Sequence, residues 1–148
     1  MDLNKQLVQD MKEAMKDKDK TRLSVIRMLR AALQNEAIAK GVDSLSEEDA
    51  MMIVSRQVKQ MQESLEEFKA ANRDDLIEKA EAELAVIEQY MPEQLTEAEL
   101  EEIVKKAITS TGAKTKREFG KVMGTVMPQV RGKADGSIVQ QIVQRLLD

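Results

Sequence analysis

GKVMGTVMPQVRGKADGS, residues 120–137, contains four of the chain's six glycines: Gly120, Gly124, Gly132 and Gly136. Its reading decides the fold, because apolar residues recur at helical spacing almost everywhere else and only this stretch could interrupt an all-helical chain. Glycine inside a helix costs about 1 kcal/mol relative to alanine. If a helix follows Thr115, then at about 100° per residue Phe119, Val122, Met123, Val126 and Met127 share its apolar face. Gly120, Gly124, Arg117 and Lys121 fall along the opposite, basic border. The stretch therefore reads as a sixth helix ending near Met127 at Pro128, a loop over 129–135, and a seventh helix capped by Asp135 or Ser137.

Two explanations fit Gly120 and Gly124. GKVMG is a small-xxx-small pattern that would let a neighbouring helix approach closely, with packing offsetting the lost helix propensity. Alternatively, bare backbone beside Arg117 and Lys121 would let a bulky polyanion such as an RNA backbone come close. Gly132 and Gly136 punctuate a loop, where a positive-φ turn is the ordinary explanation. Between Lys114 and Lys133 lie Lys114, Lys116, Arg117, Lys121, Arg131 and Lys133 against one acid, Glu118. Such a run is either a solvated face or an anion-binding site, and its contrast with the rest of the chain favours a site.

That contrast is large. Residues 1–102 carry 14 Lys and Arg against 24 Asp and Glu, whereas residues 103–148 carry 9 against 3. A polyanion would be repelled by most of the protein and attracted to its last third.

Working outward, no stretch shows the alternation that a strand requires, so the class is all-α. The expected architecture is a four-helix amino-terminal bundle over 1–92 and a three-helix carboxy-terminal domain over 93–148. The first helix runs from Leu3 to Lys16, burying Leu7, Met11 and Met15, until KDKDK (16–20) interrupts it. A second, from about Thr21 to Lys40, lines up Ile26, Leu29, Leu33 and Ala37 and stops at Gly41. Ser46 with Asp49 opens a third, which carries Ile53, Val54, Met61 and Leu65 and ends near Ala71. A fourth starts around Asp74, spaces Ile77, Ala80, Leu84, Ile87 and Met91, and ends at Pro92. Thr96 with Glu99 and Thr115 with Glu118 read as capping boxes for the fifth and sixth helices, the fifth closing at Gly112. The seventh buries Ile138, Val139, Ile142, Val143, Leu146 and Leu147.

A chain of 148 residues hides roughly 70% of its unfolded surface on folding, enough for a core. That core must be aliphatic, since only Phe68, Tyr90 and Phe119 are aromatic. With neither cysteine nor histidine, disulfides, thiolate nucleophiles, cysteine-ligated zinc and the commonest general base are excluded. The acidic cluster EAELEE (97–102) opens a helix where negative charge is favourable, so it reads as dipole compensation and not as a metal site. No cofactor is implied. The longest apolar run, Ala50 to Val54, is far short of a membrane helix, and Asp2, Asp10 and Glu13 are unlike a signal or transit peptide, which gives the expectation of a cytoplasmic protein.

Three segments carry a resemblance: ANRDDL (71–76), YMPEQLTEAEL (90–100) and above all GKVMGTVMPQVRGKADGSIV (120–139). With them the chain resembles the GatB/YqeY-like family over nearly its whole length, as a small stand-alone bacterial member. The resemblance implies an all-helical fold like the tail of the B subunit of the glutamyl/aspartyl-tRNA amidotransferase, where this module helps engage the tRNA. It also implies the family label of carbon-nitrogen ligase activity with glutamine as amido-N-donor. The chain itself offers no glutaminase nucleophile segment and no Gly-rich ATP loop, so the expectation is a non-catalytic module. Its partner would be tRNA or an aminoacyl-tRNA-handling protein, with no membrane. The expected contacts are Lys114, Lys116, Arg117, Lys121, Arg131 and Lys133 on phosphates, with Gly120 and Gly124 allowing close approach. The competing reading is a protein-interaction adaptor with no RNA binding, in which the charged helices of residues 1–91 present a groove or flat face to another protein and the tail is merely structural; a glutamine-dependent enzyme ranks third.

Overall fold

A computed structural model describes residues 2–147. Those residues form α1 Leu3–Lys16, α2 Lys20–Lys40, α3 Glu47–Ala70, α4 Asp74–Glu88, α5 Glu97–Thr111, α6 Phe119–Val130 and α7 Gly136–Leu146. A 3-10 turn occupies Lys116–Glu118, and no strand is present among the described residues. The protein is all-α. It divides into two compact units, Met1–Met91 and Pro92–Asp148, the first holding α1 to α4 and the second α5 to α7.

Short polar side chains set most helix starts by accepting from backbone N–H groups that the first turn leaves orphaned. Asp2 accepts from Asn4, Asp19 from Arg22 and Ser46 from Asp49, at 2.9, 3.0 and 3.1 Å. Thr96 and Glu99 complete a reciprocal capping box on α5. At the other ends, Gly41 and Gly112 close α2 and α5 with φ of 69° and 71°, the left-handed position glycine takes without strain. Helix α4 stops at Glu88 and not at Pro92, followed by a turn through Tyr90.

In the first unit α2 packs against α1, α3 and α4. Its stripe Val25, Ile26, Leu29 and Leu33 meets Leu7 and Ala14 of α1, Val54 and Val58 of α3, and Ile87 of α4 in one aliphatic cluster, and Ala37 is buried farther along the same helix. One expectation on α1 is corrected. Met15 is 54% exposed, whereas Asp10 is buried. Stepping by four residues drifts about 40° around a helix, so the row that starts at buried Leu7 is half-buried at Met11 and reaches solvent at Met15. Steps of three and four keep Leu7, Asp10 and Ala14 on it. In α4 only Ile87 is fully covered, with Ile77, Ala80 and Leu84 half-buried.

The buried carboxylate of Asp10 is held by a small network. The Tyr90 hydroxyl donates to Asp10 Oδ2 at 2.6 Å, Gln6 Nε2 donates to Oδ1 at 2.9 Å, and the Arg22 guanidinium lies 3.6 Å away. These contacts join α1, α2 and the turn after α4, 80 positions apart in sequence. They satisfy a charge that would otherwise cost several kcal/mol to bury.

In the second unit α5, α6 and α7 pack pairwise around Leu100, Val104, Val122, Val126, Val130, Val139, Ile142 and Val143. Helix α6 outruns its expected end: it passes through Pro128 to Val130. Proline here removes the N–H that would reach the carbonyl of Gly124, an exposed residue, and its ring crowds that carbonyl. Val126 and Val130, both fully buried, hold the final turn in place. The Thr115–Glu118 capping box does not form. Glu118 instead accepts from the Lys114 N–H at 3.1 Å, and the chain enters α6 through the 3-10 turn. On α7, Ile138 is 47% exposed and not part of the core.

The Asp10 network yields a prediction. Burial and the adjoining Asp10 carboxylate push the Tyr90 hydroxyl above its ordinary value of 10.0, with Arg22 opposing. An acid held neutral in the folded state stabilises below its unfolded pKa, and this contribution disappears as pH rises through the folded value. Stability should therefore fall above about pH 10 more steeply in the wild type than in Tyr90→Phe. Near neutral pH, Tyr90→Phe should lose about 1.5–3 kcal/mol in urea denaturation followed by circular dichroism.

Candidate nucleic-acid interface

Helix α6 has two unlike faces. Val122, Val126 and Val130 are buried, with Phe119, Met123 and Met127 packed beside them. Gly120, Lys121, Gly124 and Pro128 lie on the exposed side. A methyl group placed on Gly120 or Gly124 would meet no atom within 4 Å beyond the helix itself. The small-xxx-small explanation is thereby corrected, since no neighbouring helix approaches either glycine. Neither has a positive φ, so conformation does not require glycine there either.

The six cations of the segment are all exposed. Among the described residues no carboxylate lies within ion-pairing distance of any of them, although Arg22, Lys40, Lys69, Arg73, Lys79 and Arg145 all have such partners. Lys114, Lys116 and Arg117 precede α6 at its amino end, Lys121 sits on its solvent face between the glycines, and Arg131 and Lys133 follow its carboxyl end. Twelve residues of helix span about 18 Å, so in sequence the charges run as a strip over the length of α6, and those at its two ends do not make one tight cluster. Only Lys121 shares a helix turn with both glycines.

The carboxyl end of the strip is held by backbone contacts. Gly132 takes φ 76°, which turns the chain out of α6. The Leu95 N–H donates to the Lys133 carbonyl at 2.9 Å, and Gln94 Nε2 donates to the Gly132 carbonyl at 3.0 Å. The backbone that carries Arg131 and Lys133 is thus fixed by the segment leading into α5. Sequence reasoning missed Gln94 and Leu95. Both lie in YMPEQLTEAEL, but no spacing rule connects them to residues 38 positions later.

Two neighbouring features are already engaged. Asp135 caps α7 by accepting from the Ser137 N–H at 2.9 Å, so that helix start is occupied by its own carboxylate, as the sequence suggested. The acidic opening of α5 is paired with α7, where Arg145 meets Glu97 at 3.5 Å and also bonds to Glu101. No cluster of three metal-ligating side chains occurs among the described residues, and no helix there is long and apolar enough to cross a membrane.

Residues 4–147 match the family model described as Yqey-like protein. The chain is 35% identical over 142 residues to "Altered inheritance of mitochondria protein 41, mitochondrial" of Pyrenophora tritici-repentis, covering 93% of this chain and 77% of that protein. The protein of the same name from Saccharomyces cerevisiae strain YJM789 is 32% identical over 123 residues, 79% of this chain and 66% of the relative. In Lachancea thermotolerans the values are 36% over 106 residues, 70% and 56%. The chain thus spans between about half and three-quarters of these relatives' length. The expectations of a bacterial and a cytoplasmic protein are corrected by these names, which belong to mitochondrial proteins of eukaryotes. Composition and hydropathy report on membrane spans and charge, and neither encodes a compartment. From residue 4 to residue 147, the chain belongs to the Yqey-like protein family.

Proposed function

We propose that the carboxy-terminal three-helix unit is a non-catalytic module that engages tRNA along the glycine face of α6. The four helices α1 to α4 would form a bundle of their own. The observation that carries this reading is the pair of exposed glycines, Gly120 and Gly124, which neither packing nor backbone conformation explains. Each weakens the helix by about 1 kcal/mol relative to alanine, and in return each leaves backbone bare beside Lys121 and between the flanking cations. A sugar-phosphate chain can approach such a surface closely.

The chemistry of the strip limits the mode of recognition. The only aromatic residue of the second unit, Phe119, is packed against its core, so no stacking platform for bases is available there. Contacts would go to phosphates and shape, with Lys114, Lys116, Arg117, Lys121, Arg131 and Lys133 supplying charge. The resemblance to the tail of the amidotransferase B subunit supports tRNA as the polyanion, and an aminoacyl-tRNA-handling protein would then be its neighbour. The carbon-nitrogen ligase label fits the larger enzyme, since this chain contains no histidine or cysteine to serve as base or nucleophile. The naming of the relatives supports the mitochondrion as the compartment.

Filter binding of tRNA should show a log K against log salt slope of about −3 to −5, for four to six neutralised phosphates. Replacing Lys116, Arg117, Lys121 and Arg131 together by Glu should abolish both binding and slope; unchanged affinity would refute the module. The double change Gly120→Ala with Gly124→Ala should raise folding stability by about 2 kcal/mol in urea denaturation while weakening tRNA binding. A gain in stability with no loss of binding would show that close backbone approach plays no part.

A further inference from the structure

A second surface lies in the first unit and shares no residue with the strip on α6. Helices α1 and α2 are joined by only three residues and pack as a hairpin. Between them and the loop after α2 runs a groove of about 600 Å³. Its floor includes Val8, Ala31, Ile38 and Val42, and Arg27 and Arg30 line it. It continues beside α1 as a shallower depression of about 470 Å³, past Lys5 and Lys12. Ile38 is 69% and Val42 45% exposed, two adjoining aliphatic side chains left in water.

The charge of this groove departs from that of its unit. Residues 1–46 carry 9 Lys and Arg against 7 Asp and Glu, whereas residues 47–91 carry 5 against 12. Among the described residues no carboxylate pairs with Lys5, Lys12, Arg27 or Arg30. Arg30 donates only to the Met11 sulfur at 3.3 Å, a weak acceptor. One acid, Asp43, stands at the loop end.

We propose that this groove docks an acidic amphipathic helix from a partner protein. From Arg27 to Ile38 the α2 wall extends about 16 Å, some three helical turns, which suits apolar anchors at i, i+4 and i+7. The aliphatic floor covers those anchors, and the unpaired cations meet flanking carboxylates. A nucleic-acid backbone would leave Ile38 and Val42 in water. A second copy of the chain fits poorly as well: its acidic helices α3 and α4 expose carboxylates but none of the large exposed apolar residues, which are Met15, Met28, Ile38, Val42 and Ile138.

The test uses the full chain and a fluorescein-labelled synthetic peptide of about 18 residues, with Leu at i, i+4, i+7 and i+11 flanked by Glu. A peptide of identical composition with the register scrambled is its control. Fluorescence anisotropy should show at least about tenfold tighter binding of the registered peptide. Arg27→Glu with Arg30→Glu, and separately Ile38→Asp, should each remove that preference while circular dichroism stays native. Equal affinity for both peptides, or a preference that survives both variants, would overturn the proposal. So would self-association in sedimentation that Ile38→Asp abolishes, which would assign the groove to a second copy. Because these variants leave every cation of α6 intact, a failure here is separable from failure of tRNA binding.

Discussion

The carboxy-terminal unit depends on one ridge of valines. Val122, Val126 and Val130 step by four along α6, and each is completely buried. The helix they anchor is intrinsically poor: FGKVMGTVMPQV contains two glycines, a proline, three valines and a threonine in twelve residues, and almost none of them favours helix in isolation. Tertiary burial outweighs that deficit, since each buried valine contributes about 1.5–3 kcal/mol and the ridge fixes all three turns. With one face committed to the core, the opposite face is free to carry residues chosen for reasons other than stability. The two glycines and Lys121 occupy that face.

The first unit solves a different problem. Its core is aliphatic apart from Tyr90, and into it the chain places one carboxylate, Asp10. Tyr90, Gln6 and Arg22 surround that group and tie the first two helices to the turn that closes the fourth. A buried ion contributes little net stability, but removing one of its partners is costly. The network links the register of α1 and α2 to the turn after α4 through one set of contacts.

Two surfaces emerge with opposite chemistries of approach. In the proposed reading, the α6 face of bare backbone flanked by cations, without an apolar floor, would take a phosphate chain. The α1/α2 groove is an aliphatic trough with cationic rims, which suits a folded protein segment. Family membership extends over residues 4–147, and the distribution of charge differs between the two surfaces.

Much of the architecture was legible in the sequence because it rests on local rules. Apolar spacing marked seven helices, Ser46, Thr96 and Asp135 marked starts, and Gly41 and Gly112 marked ends, since caps and left-handed glycines act within a few residues. The cations at 114–133 and the acid-poor tail were also legible, because charge needs no fold to be counted. Tertiary structure decided the rest. Nothing local marks Asp10 as a buried acid, because its partner Tyr90 lies 80 positions away. Pro128 looked like a terminus until burial of Val126 and Val130 carried the helix past it. Gln94 and Leu95 gained their role only by meeting residues 132 and 133 in space. Gly120 and Gly124 fitted either a packed or an open helix face, and sequence alone could not choose, because whether a neighbour stands beside a missing side chain is a property of the assembled helices.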